Sequence, residues 1–229
     1  MSKVIIFTGA GISAESGIMT FRDAGGLWEN HRLEDVCSYD SLDKNRELVL
    51  KFYDTRRVQL SKVKPNKAHT QIAELQKKYP DDIAIITQNV DDLFERAGAL
   101  KTIHLHGFLT SLKCTICEHK EDIGYTKQDR EKSCQKCNNL LRPDIVFFGE
   151  HAPMYELLIQ ELNDCEILVV IGSSGAVINT DNFAAYTHYS ILNNLEPSHY
   201  INEAHYDEII YAKATEAIDD IIHAVKTRL

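Results

Sequence analysis

Short apolar runs punctuate the chain at residues 4–7, 83–86, 145–148 and 167–171, with residues 103–105 a weaker instance. Each closes on small or polar residues, and runs of this length read as buried strands. Between them lie longer stretches of helical character, residues 46–61 and 67–78, and residues 215–228 form a third. Strands alternating with helices predict an α/β fold with a largely parallel sheet. Residues 112–140 break this rhythm: they are polar, carry paired cysteines and show no sustained period. They are expected to form an excursion from the main domain, and residues 31–66 a second, mostly helical one.

The 229 residues amount to roughly one and a half domains of average size, enough for one large core with a smaller attachment. Hydrophobic residues at 44% and charged residues at 26% are those of a folded protein rather than a disordered one. With 25 basic against 34 acidic residues the net charge is −9, which argues against a sequence-independent nucleic-acid binder. The N-terminal apolar run has only four residues. A secretory leader needs about 7–15 and a membrane helix about 20, so the expected location is the cytoplasm. The six cysteines are too few for a disulfide framework at this length, and four of them fall in two close pairs.

Those pairs read Cys114-x2-Cys117-x16-Cys134-x2-Cys137. Two such knuckles can place four thiolates around Zn²⁺ at about 2.3 Å, and a closed shell of four leaves no position for water, so the zinc is expected to be structural. His119 is a competing ligand that four cysteines make unnecessary. Gly9-Ala10-Gly11-Ile12-Ser13 follows the first predicted strand. Glycines at a strand-to-helix turn let the backbone approach a pyrophosphate, although a tight turn without a ligand accounts for the same residues. The third glycine of the dinucleotide fingerprint is missing, since position 14 is Ala14 and the next glycine is Gly17. A plain dehydrogenase is therefore disfavoured.

Thr87-Gln88-Asn89-Val90-Asp91 lies where ligands of open α/β sheets bind, past the carboxyl end of a strand. It also reads as a polar loop with a helix cap at Asp91 or Asp92. In Ile103-His104-Leu105-His106-Gly107 the two histidines share one face of an extended segment. A histidine at a strand end suits a general base near neutral pH, and a structural role is the alternative.

Taken together and in order, these motifs resemble the sirtuin family of NAD-dependent protein lysine deacylases. The matching residues are Gly9 to Ser13, Ser16-Gly17-Ile18, Phe21-Arg22, Gln88-Asn89-Val90-Asp91, His106-Gly107, the four paired cysteines, the stretch from Arg142 to Glu150, Gly172-Ser173-Ser174 and Asn194-Leu195-Glu196. The resemblance implies a Rossmann-type domain over residues 1–30, 67–110 and 142–229. A helical module over 31–66 and a zinc module over 111–141 would form the small domain. NAD and an acyl-lysine peptide would meet between the two.

Carried over, Gly9, Ala10, Gly11 and Ser13 would hold the pyrophosphate, and Phe21 and Arg22 would belong to a cofactor-binding loop. Asn89 and Asp91 would face the nicotinamide side, Gln88 the ribose, Gly172, Ser173 and Ser174 the phosphates, Asn194 the adenosine ribose and Ala214 the adenine. Val146, Phe148 and Gly149 would line a lysine tunnel and pair with substrate backbone. His106 and Asn89 are the implied catalytic residues. The implied reaction begins with attack of the acyl oxygen on C1′ of the nicotinamide ribose. His106 then accepts a proton through the ribose hydroxyls, and the products are nicotinamide, O-acyl-ADP-ribose and free lysine.

Tyr53 and Arg56 are three apart on a predicted helix and share a face. A guanidinium grips a carboxylate with two hydrogen bonds and a phenol adds a third, whereas a solvated surface pair is the plainer alternative. A Tyr-x-x-Arg pair here resembles the sirtuins that remove succinyl, malonyl or glutaryl groups, so acidic acyl-lysines are the expected substrates, with acetyl alongside. Arg57 is turned about 100° away and is the lesser candidate. Met19, Ser173, Phe147, Phe94 and Asn179 depart from the common family pattern. The rival readings are a sirtuin-like ADP-ribosyltransferase and a zinc-ribbon binding module. The second would bind nucleic acid or protein, and its nucleic-acid form is weakened by the mixed charges between Cys117 and Cys134, which form no basic stripe. Acyl-lysine proteins or peptides are the expected partners, without nucleic acid or membrane; the sequence does not set the oligomeric state and is compatible with a monomer.

Overall fold

The computed structural model describes residues 3–20, 27–28 and 31–229. Its first half runs β1 (Val4–Thr8), α1 (Gly11–Ala14), β2 (Leu27–Trp28), β3 (His31–Arg32), α2 (Leu33–Val36), α3 (Tyr39–Lys44), α4 (Arg46–Leu60), α5 (Lys67–Lys78), β4 (Ile83–Thr87), α6 (Leu93–Arg96) and β5 (Thr102–His104). There follow β6 (Gly107–Cys114), β7 (Lys120–Asp122), β8 (Leu141–Ile145), α7 (Met154–Leu162), β9 (Ile167–Ile171), α8 (Asp181–Tyr186), β10 (Tyr189–Asn194), β11 (Glu208–Tyr211) and α9 (Ala214–Lys226). Phe21 and Arg22, expected in a cofactor loop, lie outside the described residues.

The main sheet has the order β11-β10-β9-β1-β4-β5 and every neighbouring pair is parallel. Counted by themselves, its strands run 6-5-4-1-2-3, the doubly wound order whose direction reverses between the first and fourth. That reversal, between β1 and β9, leaves a crevice at their carboxyl ends. Side chains alternate across the sheet. Val4 and Ile6 of β1 join a core with Ile72 of α5 and Ile218 of α9, while Ile5 and Phe7 join Leu158 of α7 and Ala184 of α8 on the other face. Both faces are covered, which is why these strands read as unbroken apolar runs.

The small body pairs β6 antiparallel with β7 and β8. It shares a third core in which Val49, Phe52, Tyr53 and Leu60 of α4 meet Leu109, Ile145 and Phe147. The expected divisions at 110/111 and 141/142 fall inside β6 and β8.

The run at 145–148 is not a strand of the main sheet. β8 ends at Ile145, and the apolar residues beyond it fill a corner: Phe147 is 1% exposed against α4, while Phe148 is 52% exposed. β10 and β11 do not stand out as apolar runs because they carry polar residues. Asn193, for example, is buried and donates to the carbonyls of Ile210 and Ala212. No helix among the described residues is long and apolar enough to cross a membrane.

Candidate active site

At the switch point two glycine loops pack backbone on backbone. The Gly11 N–H donates to Gly172 O at 2.9 Å, and Gly172 has φ +64°. A Cβ on Gly9 would fall 2.6 Å from Gly172 O, and one on Gly172 would fall 2.5 Å from Ile12 N. Glycine is thus enforced here by close approach. The amides of Gly9, Gly11, Ile12 and Ser13 are all consumed within the protein, by Ile171, Gly172, Gly9 and Ala10 respectively. α1 is only four residues long, so the glycine loops supply proximity more than free N–H donors.

Beside this cradle the loop after β4 carries Gln88, Asn89 and Asp91. Asn89 Nδ2 donates to Ser13 Oγ at 3.1 Å, and Ser13 Oγ donates to Asp91 Oδ2 at 2.9 Å. His69 Nε2 lies 3.4 Å from the same hydroxyl. His69 is fully buried, and burial pushes it down to about 4, so the ring is neutral. Burial raises the Asp91 carboxyl, opposed by the Leu93 amide and Ser13. Gln88 Nε2 donates to Ser173 Oγ at 2.9 Å, and Asn194 Nδ2 at the end of β10 donates to Ser173 O at 2.9 Å. These amides, beside two loops that glycine packing holds together at the floor of the cleft, fit a dinucleotide.

His106 sits in the turn between β5 and β6. Its Nδ1 is 3.0 Å from the Gln88 carbonyl, an acceptor, which assigns the proton to Nδ1. Nε2 is then an acceptor and takes the Tyr155 hydroxyl at 2.9 Å. Burial lowers the His106 pKa against a raising pull from the Gln88 carbonyl. His104 behaves oppositely. Burial would lower it, but Glu95 and the Asn89 carbonyl face its two nitrogens at 3.0 and 2.9 Å and hold it above its ordinary value. The turn at 105–106 separates the pair, and His106 alone of the two lines the cleft.

At the far end, Tyr53 and Arg56 project from α4. Tyr53 is 2% exposed, its ring meets Phe147 edge-on at 5.7 Å, and its hydroxyl is 3.7 Å from Cys37 Sγ. Arg56 donates from NH1 to Gln59 Oε1 at 3.2 Å. Arg57 is turned away, fully buried against Asp54. The segment after β8 forms the adjoining wall. The backbone of Phe148 is not open to a substrate strand, because its N–H donates to Cys37 O at 2.8 Å and its C=O accepts from Tyr39 N at 3.0 Å. The Val146 N–H is likewise spent, on His106 O at 2.9 Å, whereas Gly149 is exposed, with φ +93°.

One cleft of about 1120 Å³ joins these parts. Gly9, Ala10, Gly11, Ser13, Gln88, Asn89, Asp91, His106, Gly172, Ser173, Ser174, Asn194 and Ala214 line it together with Tyr53, Arg56, Val146, Phe148 and Gly149. Tyr155, Gln59 and Cys37 line it too and were not anticipated. Gln59 carried a signal, being three residues beyond Arg56 on one helix; Tyr155 carried none.

The four paired cysteines converge so that all their sulfurs lie within 4.8 Å of one another. The closest approaches, 3.3, 3.4 and 3.6 Å, are near the edge of about 3.8 Å for a tetrahedron of 2.3 Å Zn–S bonds. The two knuckles are near copies. Cys114 N donates to His119 O and Cys134 N to Asn139 O, each at 2.8 Å, and Glu118 and Asn138 take φ +55° and +58°. The cluster fits one structural zinc, far too closed for a reacting water.

The Sir2 family profile matches residues 9–179. This chain belongs to the Sir2 family, the sirtuins. The NAD-dependent protein deacylase of Campylobacter jejuni is 46% identical over 222 residues, covering 96% of this chain and 94% of that protein. That of Helicobacter hepaticus is 42% identical, covering 96% of each. Among solved Sir2 structures, a homologue in complex with NAD has a TM-score of 0.84 at 33% identity, over 99% of this chain and 91% of the other. A mutant Sir2 homologue bound to ADP-ribose has a TM-score of 0.86 at 33% identity, over 99% and 93%. The sirtuin fold thus accounts for both the doubly wound sheet and the cysteine module.

Proposed function

We propose that this sirtuin is an NAD-dependent protein lysine deacylase that takes succinyl- and malonyl-type acyl-lysines, with acetyl-lysine as a further substrate, and works in the cytoplasm. The observation that carries the reading is the single cleft linking the glycine cradle, the Nε2 acceptor of His106 and the Tyr53–Arg56 pair. NAD, when bound, supplies an electrophilic ribose carbon with nicotinamide as its leaving group. Gly9, Gly11 and Gly172, packed backbone on backbone, hold together the two loops on which the pyrophosphate lies, with Ala10, Ser13, Ser173 and Ser174 around it. Gln88, Asn89 and Asp91 orient the nicotinamide ribose, while Asn194 and Ala214 serve the adenosine end.

His106, neutral because it is buried, accepts the proton of a ribose hydroxyl at Nε2. Tyr155 must yield that lone pair as the hydroxyl arrives. Ile145, Val146 and Phe147 keep the lysine passage poor in water, and Gly149 pairs with the substrate backbone. Arg56 and Tyr53 hold the distal carboxylate. In the test, NAD is incubated with succinyl-lysine and acetyl-lysine peptides, and nicotinamide and free lysine are measured. Both should appear. Labelled ADP-ribose transferred to protein, with neither peptide deacylated, would replace the reading with an ADP-ribosyltransferase.

A further inference from the structure

One turn of α4 carries two pairs set one residue apart. Tyr53 and Arg56 line the cleft, while Asp54 and Arg57, rotated by about 100°, point into the seam with the cysteine module. That seam is polar and buried. Arg57 is 0% exposed and spends its guanidinium on three acceptors: Asp54 Oδ1 at 2.5 Å, Thr126 O at 3.0 Å and Leu109 O at 3.2 Å. Asp54, 4% exposed, also accepts from Gln128 N at 2.8 Å and from Arg130 NH1 at 2.8 Å. Arg130 returns to Glu47 in the first turn of α4 at 3.2 Å, and Arg46 reaches Leu141 O at 2.5 Å.

An apolar helix face tolerates small rotations, since many packings of similar area compete. Directional bonds among buried charges do not, because a misaligned pair is left desolvated and unpaired. The contacts with residues 126–130 therefore fix the azimuth of α4, and with it the direction in which Tyr53 and Arg56 point. A bidentate grip on a carboxylate needs that direction held closely; an acetyl group has no carboxylate to grip.

We propose that Asp54, Arg57 and Arg130 are positioning residues for acyl selectivity, through which the cysteine module sets the aim of the Tyr53–Arg56 pair. The inference rests on the acidic-acyl reading above. Its test is steady-state kinetics of the full chain on succinyl-lysine and acetyl-lysine peptides for wild type, D54N, R57K and R130Q, with thermal melting to establish folding.

In D54N and R57K the succinyl KM should rise about tenfold, the loss of one charge-assisted hydrogen bond, while kcat and both acetyl parameters stay within about twofold. R130Q, a change at a less buried residue, should show a rise of about threefold on the lower end of the same scale. If the other two fail to fold, R130Q alone decides between the outcomes. Equal losses on both peptides, or an unchanged ratio in the folded variants, would overturn the inference while leaving the acidic-acyl reading intact. A wild-type protein that deacetylates but never desuccinylates would remove both.

Discussion

Where the cleft meets the switch point its shape is set by backbone packed on backbone, whereas at the acyl end it is set by side chains reaching between separate modules. The first end uses loops that leave β1, β4, β9 and β10 within a few residues of a parallel strand. Its closest contacts, such as Gly172 against Ile12, admit no side chain at all. The second end joins α4, the segment after β8 and residues 126–130, held by Asp54, Arg57 and the ring contact of Tyr53 with Phe147. A backbone-built site is hard to retune, because each change moves the chain. A side-chain-built site can be altered one residue at a time. The contrast predicts that damage at the nucleotide end falls on every substrate alike, and damage at the acyl end only on substrates with a carboxylate.

The largest effect should come from His106→Ala. Removing a positioned base costs about 10²–10⁴-fold in kcat, measured as nicotinamide release, and the loss should be the same for both peptides. Next comes Gly172→Ala. A Cβ 2.5 Å from a backbone nitrogen, at φ +64°, must displace the cradle, and misplacement of about 1 Å costs on the order of 10²-fold. Nicotinamide release should fall by that factor on both peptides, and titration should show weaker NAD binding. Unchanged affinity would mean the glycine contacts do not shape the nucleotide end. Arg56→Met should cost about 10–100-fold in kcat/KM on succinyl-lysine, the worth of charge-assisted hydrogen bonds to a carboxylate. Acetyl-lysine turnover should move little, and parallel losses on the two peptides would erase the distinction between the ends.

The same contrast governs what was legible in the sequence. The central strands announced themselves because both faces of the sheet are covered, and the glycine loop and cysteine knuckles are local in sequence. The outer strands β10 and β11 were hidden by polar residues such as Ser190 and Asn193, whose partners lie on neighbouring loops and strands. At the acyl end only the Tyr53–Arg56 spacing was visible. The contacts that hold it span 69 residues from Arg57 to Thr126 and 74 from Asp54 to Gln128, and no period in the sequence marks them. Phe148 lines the cleft as expected, but its backbone is not open to a substrate strand, because Cys37 and Tyr39, distant in sequence, already pair with it.

The smallest effect is also the one that separates the two histidines of the β5–β6 turn. His106 acts as a base only when neutral, so kcat/KM falls as pH drops through its pKa. Burial places that pKa below the ordinary 6.5, with the Gln88 carbonyl pulling the other way. At pH 6.5 less than half of the ring is then protonated, and the loss relative to pH 8 should be under about twofold, with the acid limb centred lower still. His104 is displaced upward by Glu95 and the Asn89 carbonyl against its own burial, so a base with its titration would lose more than half its activity at pH 6.5. A pH profile of kcat/KM on acetyl-lysine peptide, which lacks the acyl carboxylate, distinguishes them. A midpoint above 6.5 would take the role of base away from His106, and with it the argument that a buried, neutral imidazole is what the nucleotide end was built to hold.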